Sequence, residues 1–151
     1  MALGDVLYTK GLSAVKLPVK DSTAIARGDL LTEDSGWKPA VEADAVDQKV
    51  YVALEDSPDD NDDDIKALEE GYVEVKKKTG EGTVNVGAYL VVSDEAGKAG
   101  IFTKADLTDG NGGDPTSHAD ADAELHKLTK IIGYCIEEAS DTDTTIKMRL
   151  Y

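Results

Sequence analysis

Residues 50–68, VYVALEDSPDDNDDDIKAL, pass from an apolar run into an acidic stretch and back to an apolar run, and residues 132–150, IGYCIEEASDTDTTIKMRL, have nearly the same shape. With one residue of slip, Tyr51-Val52-Ala53-Leu54-Glu55-Asp56 aligns with Gly133-Tyr134-Cys135-Ile136-Glu137-Glu138, and Ile65-Lys66 with Ile146-Lys147. A similar hairpin precedes each: IARGDLLTEDSGWKPAV from Ile25 and VNVGAYLVVSDEAGKAGIF from Val84, with turns at Asp34 to Gly36 and Asp94 to Gly97. The repeated unit reads as strand, turn, strand, longer link, strand, acidic turn, strand.

The strands follow from period two, since successive side chains on a strand point to opposite faces. Val15, Leu17 and Val19 alternate with Lys16, Pro18 and Lys20; Ile146, Met148 and Leu150 alternate with Lys147, Arg149 and Tyr151. Pro18 offers no amide hydrogen, which places its strand at an edge or leaves it paired on one side. Short apolar runs separated by Gly, Asp, Asn and Ser predict an all-β, internally duplicated small barrel or sandwich, because parallel strands would need longer crossovers. Two places invite a minor helix: DIKALEEG, residues 64–71, capped by Asp64 and stopped by Gly71, and ADAELHKLTKI, residues 121–131, with Leu125 and Leu128 on one face. The domain expected is single, residues 13–151, with a surface insertion at 105–126 and an arm at 1–12. The insertion's centre, DGNGGDPTSHADAD, is too poor in bulky apolar groups to offset the entropy of ordering, so a mobile surface excursion is expected there.

A chain of 151 residues is enough for one core. Its net charge, 16 − 31 = −15, repels phosphate backbones and anionic lipid, so neither nucleic acid nor membrane is an expected partner; adaptation to high salt is a further reading of the acid excess. No start resembling a secretion signal and no span of ~20 apolar residues occurs. Cys135 has no second cysteine to pair with and sits in the apolar run IIGYCI, where burial is expected.

Chemistry is hard to find. Asp59, Asn61, Asp63 and Glu70 stand at the first, third, fifth and twelfth positions of an EF-hand-like calcium loop, but the sixth is Asp64 where such a loop needs glycine. The second acidic stretch adds only Asp141 and Asp143 to its glutamates, so both are expected to be solvated connections and no metal site is assigned. His118 and His126, near Asp114, Asp120 and Asp122, fit no helical metal pair. No nucleophile elbow or phosphate loop appears, so no catalytic residue, cofactor or enzymatic activity is expected. Lys76-Lys77-Lys78 reads as a solvated strand end, and Trp37 and Phe102 as core anchors at or near equivalent repeat positions.

The succession AVKLPVKDSTAIARGDLL, KVYVALEDS, GYVEVKKKTGEGTVNVGAYLVVSDEAGK and IIGYCIEEASDTDTTIKMRLY resembles the capsid cement, or head decoration, proteins of tailed bacteriophages and related viruses, from about Ser13 to Tyr151. The resemblance implies a β-rich homotrimer, made in the host cytoplasm, that sits on the outer surface of the virion and stabilises the capsid by bridging major capsid protein subunits. Leu3, Val6, Leu7 and Tyr8 of the arm then become candidate contacts to the capsid or a neighbouring copy, with an additional strand of the same domain as the other reading. A calcium-dependent adhesive or carbohydrate-binding β-domain is the alternative function.

Overall fold

The segment 64–71 is a strand rather than a helix: it begins β5 (Ile65–Lys76), the longest strand of the described chain. The computed structural model describes residues 13–43, 48–57, 64–102 and 130–151. Among these, every regular element is a strand. The others are β1 (Ser13–Leu17), β2 (Leu30–Glu33), β3 (Trp37–Pro39), β4 (Tyr51–Ala53), β6 (Tyr89–Val92), β7 (Ala99–Ile101), β8 (Ile131–Glu137) and β9 (Thr145–Leu150). Helix was expected there from the Asp64 cap and the Gly71 stop; in the strand, Leu68 follows Ala67 and breaks the alternation. In the fold both residues are buried, one in each of two cores, so tertiary packing overrides the local pattern.

The strands follow the order β3-β2-β4-β5-β9-β8-β6-β7, with β1 also on β5, and each named pair is antiparallel. This order contains the predicted duplication. In the first unit β2 pairs with β3 and β4, and β4 with the first half of β5; in the second, β6 pairs with β7 and β8, and β8 with β9. Each unit also has a fifth strand that the repeat alignment had left outside. β1 pairs with the first half of β5, and the second half of β5 pairs with β9 in the same way. The sheet of each unit curls until its outer strand meets this fifth strand at a parallel bridge, Val19 to Trp37 in one and Lys77 to Ala99 in the other. A further bridge recurs as well: Ile25 and Ser57 exchange both backbone hydrogen bonds, as do Val84 and Ala139. These bridges make Ala99 the counterpart of Trp37, and Phe102 falls just past β7. Trp37 is partly buried and meets the Tyr51 ring edge-on at 4.8 Å.

β5 therefore belongs to both units, and it changes units at Gly71. There φ is +144°, a value that L side chains rarely adopt, so the glycine is the bend rather than a helix stop. Valine at position 71 is expected to cost about 1–3 kcal/mol in denaturant unfolding; a change within error would show that the bend does not depend on glycine.

Leu17, Val19, Ile25, Leu31, Ala53, Ile65 and Ala67 form the core of the first unit. A larger cluster fills the second unit with Val73, Val75, Val84, Leu90, Cys135, Ile146, Met148 and Leu150, and it also takes in Leu30, Val50, Val52 and Leu68 from the first. The burial expected for Cys135 is observed, and desolvation pushes its thiol above the ordinary range. Pro18 behaves as its chemistry requires: β1 pairs with β5, and the Pro18 carbonyl accepts a hydrogen bond from the Trp37 amide at 2.8 Å.

Candidate interaction surface

The outer face of the second unit follows from register. Tyr72 on β5 is opposite Arg149 on β9, Arg149 is opposite Tyr134 on β8, and Tyr134 is opposite Tyr89 on β6. The period of two that turns Val73, Met148 and Cys135 inward brings these four side chains into one row across the sheet. Tyr151 adds a fourth tyrosine, its ring 6.0 Å from that of Tyr134. Tyr89 and Tyr151 are 52% and 48% exposed, and Val86, 64% exposed, lies before β6.

Arg149 is fixed within the row. Its guanidinium carbon lies 5.0 Å from the centre of the Tyr72 ring, and a nitrogen bonds the Glu70 carboxylate at 2.6 Å. A planar cation held by stacking and an ion pair loses little freedom when a partner arrives. Glu70 is thus a strand residue holding Arg149, and β5 occupies the place where an EF-hand would continue into its second helix.

The Tyr134 phenol is held above its ordinary pKa, first by partial burial and then by the neighbouring Tyr72 hydroxyl. Because the folded value lies above the unfolded one, the stabilisation is full below the unfolded pKa and is lost as pH rises through the folded value. An absorbance titration should therefore show one tyrosine ionising late, and Tyr134→Phe should remove that component. Loss of a different component would place the shifted phenol elsewhere.

Beside this row is an acidic one. Glu74 is opposite Lys147, Lys147 bonds Glu137 at 2.8 Å, and Thr145 donates to Glu74 at 2.6 Å. With Glu138 and Asp143 these residues line a shallow cavity of about 230 Å³. On the other side of β5's end, a groove of about 450 Å³ is lined by Lys76, Lys77, Lys78 and Lys98. These lysines are structural, which corrects the expected solvated strand end. Lys77 is only 4% exposed and donates to the Ser140 carbonyl at 2.6 Å; Lys76 bonds Asp29 at 2.6 Å, Lys78 bonds Asp94 at 2.9 Å, and Lys98 bonds Glu95 at 2.8 Å.

The arm residues Leu3, Val6, Leu7 and Tyr8 lie outside the described residues, as do Asp59, Asn61 and Asp63, both histidines, the 105–126 insertion and nearly all of the 121–131 segment. Among the described residues no group of three or more His, Cys, Asp or Glu is placed to hold a metal, and no helix is long and apolar enough to cross a membrane. The acidic turn after β8 is organised by backbone bonds: the Asp143 carboxylate accepts from the Ser140 amide at 2.8 Å.

No protein-family model matches the chain, and no curated protein matches it. Among solved structures it is similar to the N base of the head fiber gp8.5 of bacteriophage phi29, with a TM-score of 0.52 at 16% identity over 92% of this chain and 95% of that one. At that identity the likeness concerns the fold, and it spans both units.

Proposed function

We propose that this chain is a structural virion protein that binds the outer surface of a viral capsid and stabilises the shell by bridging major capsid protein subunits, working as a homotrimer. The observation that carries this reading is the likeness of the whole two-unit fold to the base of a phage head fiber. The chemistry of the described surface agrees with it. An assembly role asks for a stiff body and a recognition face, and the tyrosine–arginine row has the composition in which protein interfaces are enriched. Individually weak contacts suffice when several copies engage together. The arm residues Leu3, Val6, Leu7 and Tyr8 are the proposed secondary contacts.

The test is uptake by expanded heads that lack the protein. Stoichiometric, saturable binding is expected at native salt, with a rise in the temperature at which the heads rupture. Heads that take up none of it would overturn the proposal. Four tyrosines on one face also favour a second reading, a carbohydrate-binding domain, since sugars stack on aromatic rings. That reading predicts retention on a glycan matrix, with a melting temperature that rises with calcium if binding is calcium-dependent.

A further inference from the structure

The two units use the same line of their sheets differently. The counterpart of Tyr72–Arg149–Tyr134–Tyr89 in the first unit is Ala14–Leu68–Val52–Leu30, related by the same sequence of pairings. Leu30, Val52 and Leu68 are fully buried, because the second unit is seated on them. The seating element is the turn between β6 and β7. Gly97 accepts from the Leu30 amide at 3.0 Å and donates to the Ala40 carbonyl at 2.8 Å, while the Glu42 amide donates to the Ser93 carbonyl at 2.9 Å. Gly97 packs so closely on Asp29 that a Cβ there would lie 2.6 Å from Oδ1. The first unit carries the corresponding turn, Asp34–Gly36 between β2 and β3, which is exposed at Asp34 and Ser35 and braced by Lys20 and Lys38 on the Asp34 carboxylate.

From this equivalence we infer that the Tyr72–Arg149–Tyr134–Tyr89 face is the seat for the first unit of a second copy of this chain, entered by that copy's Asp34–Gly36 turn. The contact between copies repeats, without a covalent link, the contact between units inside one copy. Aliphatic side chains suit the internal seat, which never opens; tyrosines and an arginine suit a seat that stands in water until it is filled. The internal clasp of Asp29 and Lys76 has no counterpart here, since Ala88 occupies the place of Asp29, so the contact between copies is the weaker and the reversible one. Such a contact is heterologous, and repeating it gives a closed ring or an open filament. In a ring of three, covalent and non-covalent seats would alternate. This inference deepens the homotrimer element of the proposed function but does not require a capsid.

The experiment uses the full chain without heads. Sedimentation over a range of concentrations should show reversible self-association, weakened on the order of 30-fold by Tyr134→Ala, with the circular dichroism unchanged. Ser35→Cys and Tyr89→Cys are then prepared singly; the native Cys135 is buried and serves as the unreactive background. On oxidation, a disulfide-linked dimer is expected when the two variants are mixed and from neither alone. Self-linking of the Tyr89→Cys variant would mean a face-to-face contact and would overturn the proposal. So would a monomer at every concentration together with the absence of the mixed cross-link. Failure of head uptake with the mixed cross-link present would overturn shell binding alone.

Discussion

Alanine at position 133 is expected to abolish cooperative unfolding of the second unit. Gly133 on β8 is paired with Leu150 on β9, where the strands come so close that a Cβ would overlap the Arg149 carbonyl oxygen and lie 2.7 Å from the Met148 terminal methyl. The methionine end can move, but the carbonyl belongs to the backbone of the central strand pair. Relief therefore means separating β8 from β9, with loss of the packing of Cys135, Met148 and Leu150, all fully buried. A penalty of about 4 kcal/mol or more follows, at the upper end of what single substitutions cause. Thermal melts followed by circular dichroism and by tyrosine fluorescence give the check. A cooperative transition within a few degrees of the native one would show that the strands can part locally. Met148→Ala is the comparison: it makes a cavity without a clash, and about 2–5 kcal/mol is expected for it.

The second large effect is expected at Asp29, which ties the two units together. One carboxylate oxygen accepts from the Ala26 amide at 2.8 Å, and the other from the Lys76 ammonium at 2.6 Å, beside the Gly97 backbone. Removing a buried carboxylate leaves an amide and a half-buried ammonium without an acceptor, which costs more than the intact pair contributes. Asp29→Ala should lose about 3 kcal/mol, and Asp29→Asn roughly half of that, because the amide oxygen still serves the Ala26 N–H. A double-mutant cycle with Lys76→Met apportions the loss. If Asp29→Ala cost no more in the presence of Lys76 than in its absence, the clasp would contribute nothing.

Much of this architecture is legible in the sequence for a simple reason. A half-buried strand displays its period of two, and turns display Gly, Asp and Asn, so the succession of strands and turns within each repeat can be read directly. Two misreadings share one cause. The alternation fails at Leu68 because it faces the second unit while its neighbour Ala67 faces the first core, and a strand buried on both faces loses its period of two, which leaves the Asp64 cap and the Gly71 stop as the local signals. The run Lys76-Lys77-Lys78 reads as a solvated strand end guarding against edge pairing, because the Ser140 carbonyl that accepts the hydrogen bond of the Lys77 ammonium lies far along the chain. The likeness of VKLPVK at 15–20 to VEVKKK at 73–78 was the available signal for the fifth strand of each unit, since both segments lead into the same kind of bridge. The tyrosine–arginine row carries no such signal. Its members are contributed by four strands, and only the register between strands makes neighbours of them.

Because one continuous strand serves both units, the body has no joint. A linker between domains would let them swivel, and strain in a surface to which both were fastened would be absorbed by that swivel. Here a tug on one half is passed to the other as shear along a single twelve-residue ribbon held by β4 and β1 at one end and β9 at the other. Two points on the body, one in each half, would thus be kept at a set spacing, as by a rivet rather than a hinge.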